Sequence, residues 1–190
     1  MRTNKMLCAK EGSRELNSKV PSPSVSVYRV GVGFKKTAEM LFSENPQDFD
    51  WVYPFIANAS FSIEIFLKSC LAEDEYNEFK FGVSDSPSEL ATGFMYIKSD
   101  VDDRDKTHDL ADLFSKLSQE RSKIIKKEYQ KTSMAKKYPK IGGLLRDLNG
   151  LFEAARYGYS SPDLLPRNLS IIIDTAHFFE EVIPKLEGIE

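Results

Sequence analysis

The chain has 190 residues, 41% of them hydrophobic with 13 Phe and 8 Tyr, which suits one domain with an aromatic core, and no run approaches the ~18 apolar residues of a membrane span. Two cysteines and two histidines, all far apart, argue against a disulfide framework, a metal site or a cofactor, and the polar start lacks the apolar stretch of a secretory signal, so a cytoplasmic setting is expected. The net charge of −3 hides a basic block: Arg121 to Arg146 carries nine bases against Glu128 alone, leaving the rest of the chain at −11, 17 bases against 28 acids.

Residues 1–24 are polar, show no periodicity and end in Pro21-Ser22-Pro23-Ser24, the mark of a mobile extension. Val25, Val27, Val30 and Val32 then suggest a short strand or an extended docking arm, making residues 1–34 an extension and 35–190 the domain proper. Ala38, Leu41 and Phe42 give a weak helical pattern. Residues 51–73 give the strongest: Pro54 suits a first turn, and Phe55, Ile56, Ala59, Ile63, Phe66, Leu67, Cys70 and Leu71 form one broad apolar stripe. Phe61 and Ile65 add apolar surface opposite, so this helix should be buried on most sides.

Residues 74–107 read as a long insertion holding small elements of its own or a function. Thr107 is the expected N-cap of the next helix, which carries Leu110, Leu113, Phe114, Leu117, Ile124 and Ile125 and fades near Tyr129. Pro139 and Gly142-Gly143 mark a break. Leu144, Leu145, Leu148, Leu151, Phe152 and Ala155 define a fourth helix, and Leu169, Ile172, Ile173, Ala176, Phe179, Ile183 and Leu186 a last one. The sum is an all-α, up-and-down bundle of four to five helices, with a long insertion between the second and third.

Two familiar patterns fail on spacing. Gly31-Val32-Gly33-Phe34-Lys35-Lys36-Thr37 lacks the four residues a phosphate loop needs between its glycines. The run from Asp100 lacks the Gly and Glu of a calcium-binding loop.

Three segments together resemble a known family. Ala57 to Lys68, an apolar helix with Glu64 and Lys68 four apart, is similar to the second-helix signature of HEPN domains. Thr107-His108-Asp109-Leu110 looks like the start of their next helix, and Phe152-Glu153-Ala154-Ala155-Arg156-Tyr157 like the end of the following one. The resemblance covers about residues 35–190. It implies a helical bundle that forms homodimers, among relatives that include ribonucleases, nucleotide-binding modules and accessory modules of defence or toxin–antitoxin systems. The ribonucleases of that family carry an Arg followed after four to six residues by a His. Here Tyr-Gly-Tyr-Ser-Ser-Pro-Asp follows Arg156, so the expected role leans away from catalysis.

The expected ligand-binding residues are Glu64, Lys68, Arg156 and Tyr157, from the segments that carry the resemblance, and Asn149, from the helical wheel. Glu64 and Lys68 read as an ordinary helix pair, worth about 0.2–0.5 kcal/mol if exposed, or as a groove-facing polar strip. On a continuous wheel Arg156 lies at the edge of the leucine stripe with Asn149 and Glu153, where its fork suits phosphate or its charge simply complements the helix end. Lys123, Lys126, Lys127 and Lys131 recur at helical spacing near Tyr129 and Tyr138, as on a surface contacting nucleic acid, on a solvated helix face, or on a patch that pairs with the acidic stretch 100–112. His108 reads as a first-turn residue and His177 as half exposed. The expected function is a module that binds RNA or a nucleotide; the alternatives are an altered-site ribonuclease, or a partner of another protein with no nucleic-acid ligand.

Overall fold

The computed structural model describes residues 19–20, 23–44, 49–77, 96–100, 107–157 and 168–186. The helices are α1 (Val25–Glu44), α2 (Val52–Ser69), α3 (Leu110–Ser115), α4 (Gln119–Tyr129), α5 (Met134–Lys137), α6 (Ile141–Asp147), α7 (Leu151–Arg156) and α8 (Ser170–Val182). Short 3-10 turns at Phe49–Trp51 and Ile183–Leu186 lead into α2 and prolong α8. This is the expected helical bundle, joined by one small three-stranded sheet, and no helix among the described residues is long and apolar enough to cross a membrane.

The pillar is α2, which packs against α1, α3, α7 and α8. Its expected stripe is fully enclosed, from Phe55 and Ile56 to Leu67 and Cys70. Each large side chain of this kind contributes about 1.5–3 kcal/mol by leaving water. Three buried serines are tolerated on the same helix because their hydroxyls donate to its own carbonyls: Ser60 to Ile56, Ser62 to Ala59 and Ser69 to Phe66, at 2.6–2.7 Å. At the end of α2, the buried Arg121 of α4 donates from Nη1 to the Cys70 carbonyl at 3.0 Å. Burial also pushes the Cys70 thiol up to about 12, so it stays protonated and unreactive at neutral pH.

Five sequence expectations change. Residues 25–34 are neither strand nor arm but the first half of α1, so the boundary drawn after residue 34 falls inside a helix. The alternating valines suggested extension, yet the positions that turn inward are Ser24, Tyr28, Gly31, Lys35 and Ala38, spaced three or four apart. Packing on α2 overrides β-branched propensity here. Gly31 makes that contact possible, since a Cβ there would lie 2.8 Å from Phe66 Cδ1.

The N-cap of α3 is Asp109, whose carboxylate accepts from Asp112 N at 2.8 Å; Thr107 instead accepts from the amide of Asp109. The third helical pattern is two helices, parted where Ser118 caps α4 by accepting from Arg121 N at 3.3 Å. The fourth is also two. Gly142 and Gly143 lie within α6 rather than breaking the chain, and the real break is Gly150, with φ of 73°.

Residues 19–20, expected in a mobile extension, pair as β1 (Lys19–Val20) with β2 (Glu73–Asn77), which pairs with β3 (Tyr96–Asp100). All pairings are antiparallel, in the order β1-β2-β3. The two longer strands fall almost wholly in the expected insertion, whose residues 78–95 and 101–106, like 1–18, lie outside the described residues.

Asp74 joins this sheet to the start of α1. Ser24 caps α1 by accepting from Val27 N at 3.0 Å while donating its own hydroxyl to Asp74 Oδ1 at 2.6 Å, and Ser99 donates to the same oxygen at 2.7 Å. Burial opposes ionisation of Asp74, but these hydroxyls, with the amides of Ser26 and Val25, outweigh it and hold the carboxyl below the usual carboxylate range. A depressed folded value means the stabilisation is complete above the unfolded value of 3.8 and is lost as the pH falls through the folded value. Asp74→Ala should therefore cost about 1–3 kcal/mol at pH 7. In urea melts, the gap between variant and parent should narrow below about pH 4; a gap unchanged from pH 7 to pH 2.5 would contradict this role.

A second polar seam joins α1 to α8. Lys35 is only 5% exposed, and its ammonium reaches Glu180 at 2.6 Å and Glu39 at 3.0 Å, with His177 Nδ1 at 3.3 Å. Burial alone would lower the Lys35 pKa, but the two carboxylates more than reverse that and raise it. Because an ammonium only donates, the imidazole accepts through Nδ1 and its Nε2 faces Glu39 at 3.0 Å. Half-exposed His177 is thus a structural residue.

Candidate functional site

A cleft of about 200 Å³ opens between α2, the start of α3 and the α6–α7 junction. Glu64 and Ser60 reach it from α2, His108 and Asp109 from the α3 cap, Asn149 from the junction and Phe152 from α7. The break at Gly150 forms the far wall, since its positive φ turns the chain and starts α7 against α2.

Glu64 is the centre of the polar network. It is 2% exposed, and its Oε1 accepts from Lys68 Nζ at 2.7 Å and faces His108 Nδ1 at 3.0 Å. The His108 side chain is 62% exposed. With Nδ1–H donated to Glu64, the Nε2 lone pair of a neutral ring is left toward solvent. An accessible imidazole backed by a buried carboxylate is a unit able to accept and return a proton. Sequence spacing could not reveal it, because 44 residues separate the partners.

Asn149 does line the cleft, but its amide is committed. Oδ1 accepts from Leu110 N at 3.1 Å and Nδ2 donates to Asp109 Oδ2 at 2.9 Å. It therefore fixes the α3 cap against the α6–α7 junction and shapes the wall. Lys68 stands behind Glu64 rather than in the lining. Arg156 and Tyr157 are exposed and also outside it. A wheel drawn through a continuous helix placed Arg156 beside Asn149; the restart at Gly150 changes the phase. The Arg156 guanidinium lies over the rings of Phe152, 5.4 Å, and Tyr157, 5.6 Å. Phe152 in turn stacks on Phe61 at 4.6 Å. An aromatic shelf carrying a cation thus adjoins the cleft.

The lysines form a separate surface. Lys123, Lys126 and Lys127 are exposed on α4 and Lys131 just after it; none lines the cleft. Lys131 pairs with Glu128 at 2.5 Å, and Lys126 lies over the Phe114 ring at 5.7 Å. Glu64, Asp109 and Glu153 make the cleft lining acidic, so it suits hydrogen-bond donors, whereas the α4 surface suits phosphate. Among the described residues no group of three or more His, Cys, Asp or Glu side chains is placed to hold a metal ion.

Comparison with protein-family models, with curated proteins and with solved structures finds no match.

Proposed function

We propose that this chain is a HEPN-like module that binds single-stranded RNA or a nucleotide without cleaving it. The observation that carries the reading is the Arg156 guanidinium held on the Phe152 and Tyr157 rings beside a donor-seeking cleft. A ribose or base presents donors that Glu64 and Asp109 accept, and the attached phosphate meets Arg156. A volume of about 200 Å³ takes one such unit, so the rest of a strand would run outside it, along the lysines of α4. The order of the three family-like segments supports the same reading.

The test is fluorescence anisotropy with a labelled oligoribonucleotide and with labelled adenosine nucleotides at two salt concentrations. Binding should weaken with salt, and Arg156→Ala should reduce affinity about tenfold. Absence of binding to either ligand at low salt would remove the proposal.

A second reading rests on the His108–Glu64 pair. An exposed imidazole against a buried carboxylate is the acid–base element that an altered-site ribonuclease would need in place of the missing family histidine. It requires RNA cleavage by the purified protein that disappears in His108→Gln. Intact RNA after prolonged incubation across pH 5–9 would leave the binding reading alone.

A further inference from the structure

A second concavity lies at the other end of the α3–α6 pair. Leu110 and Leu148 meet at the cleft, whereas Phe114, one turn along α3, and Ile141, at the opposite end of α6, line a groove of about 450 Å³. That is more than twice the cleft and within the ~300–1,000 Å³ of ordinary small-molecule sites. One wall is apolar, made by Phe114, Pro139 and Ile141. The rim carries Lys126, Lys140 and Arg146, and no carboxylate contributes to the lining. None of these three cations has an ion pair among the described residues. The walls are fixed, since Tyr129 donates to the Tyr138 carbonyl at 2.8 Å and Gln130 to the Pro139 carbonyl at 2.9 Å, tying the turn to α4.

The glycines are the second observation. Gly142 and Gly143 line this groove inside a helix, without positive φ. Both sit in the first turn of α6, where glycine is worse than alanine by up to roughly 1 kcal/mol, the helix-interior value. Internal packing does not ask for either: a Cβ on Gly143 would meet nothing within 4 Å, and one on Gly142 only Arg146 Nη1 at 4.0 Å. What two bare helical residues provide is close approach of something from outside, beside three cations that have no ion pair among the described residues, Lys126 lying over the Phe114 ring at 5.7 Å.

We propose that this groove binds a nucleoside phosphate. The phosphate sits among Lys126, Lys140 and Arg146, close against the Gly142–Gly143 backbone, and the base lies on the Phe114–Pro139–Ile141 wall. The ligand is a free nucleotide or the terminal residue of an RNA strand; the shared chemistry is a flat ring bearing a phosphate. The inference rests on the nucleic-acid reading for its ligand class, but it uses none of the residues of the cleft.

The full chain, labelled with ¹⁵N, is titrated with adenosine 5′-monophosphate, with a 5′-phosphorylated oligoadenylate, with its 5′-hydroxyl counterpart and with an oligoglutamate peptide. The Gly142 and Gly143 amides should shift with the first, the second or both. Response to the mononucleotide identifies a free-nucleotide site; response only to the phosphorylated strand identifies a strand terminus. Lys140→Glu with Arg146→Glu should weaken binding about tenfold or more. Gly143→Ala should raise the melting temperature by about 2–4 °C yet weaken binding, a combination that misfolding cannot produce. Unmoved glycine amides, unchanged affinity in the double charge reversal, or a shift with oligoglutamate alone would each overturn the proposal. If the double reversal binds RNA normally while Arg156→Ala does not, the groove fails and the cleft reading stands. The opposite pattern retains the groove and removes the cleft.

Discussion

Lys68→Ala lowers the unfolding free energy by about 3 kcal/mol, the low end of the range for stripping one partner from a buried ion pair. The cost arises because Glu64 stays behind, 2% exposed, with the Lys68 ammonium gone from 2.7 Å and only the His108 ring left to meet its charge. The low end applies because the Lys68 side chain is 16% exposed, so water partly replaces it. The double variant Glu64→Leu, Lys68→Met should recover most of the loss, since removing both charges removes the desolvation cost as well. Urea unfolding followed by circular dichroism measures all three proteins. A loss below about 1 kcal/mol for Lys68→Ala would show that the pair behaves as an exposed one. The double variant also separates roles: if it folds normally yet no longer binds RNA, the pair serves the cleft as well as the fold.

The second large effect comes from two glycines of α1 that stand two residues apart and should respond in opposite directions. Alanine at 31 places a methyl 2.8 Å from Phe66 Cδ1 and 2.9 Å from Cε1, in a ring that is fully buried and cannot swing away. Overpacking of this kind costs about 1–3 kcal/mol, more than the ~1 kcal/mol that alanine returns in helix propensity. Gly31→Leu should then prise α1 from α2, with a loss of about 3 kcal/mol or more. At Gly33 a Cβ meets nothing within 4 Å, so Gly33→Ala should stabilise by about 0.5–1 kcal/mol. Thermal and chemical melts of the three variants decide it. Equal responses at 31 and 33 would mean that the α1–α2 contact is looser than described.

The sequence made α2 and α8 plain because their apolar residues repeat over several turns, long enough for the period to show through. It misled at α1, where valines at alternate positions imitate a strand and the inward stripe is built partly from Tyr28, Gly31 and Lys35, residues that carry little or no apolar signal. It also merged α3 with α4 and α6 with α7. Both joints keep the apolar residues close to helical phase, and the breaks depend on Ser118 and Gly150, single residues without a proline nearby. For the cleft, Glu64 and Lys68 were readable because one helix carries both. His108 was not readable as Glu64's partner, since only the folded chain brings them together. Arg156 was placed on the wrong arc for the same reason that α6 and α7 were merged.

The short helices around the cleft have a dynamic consequence. Six residues, as in α3 and α7, are far too few to hold a helix in isolation, so both exist only while docked on α2. The Asn149 amide, gripping Leu110 N and Asp109, is a latch between them. This corner should therefore swing open as one cooperative unit at a fraction of the global unfolding energy, its amides exchanging with deuterium well before those of α2. Such breathing would admit ligands larger than the closed cleft accommodates, with Asn149 setting how often the door stands ajar.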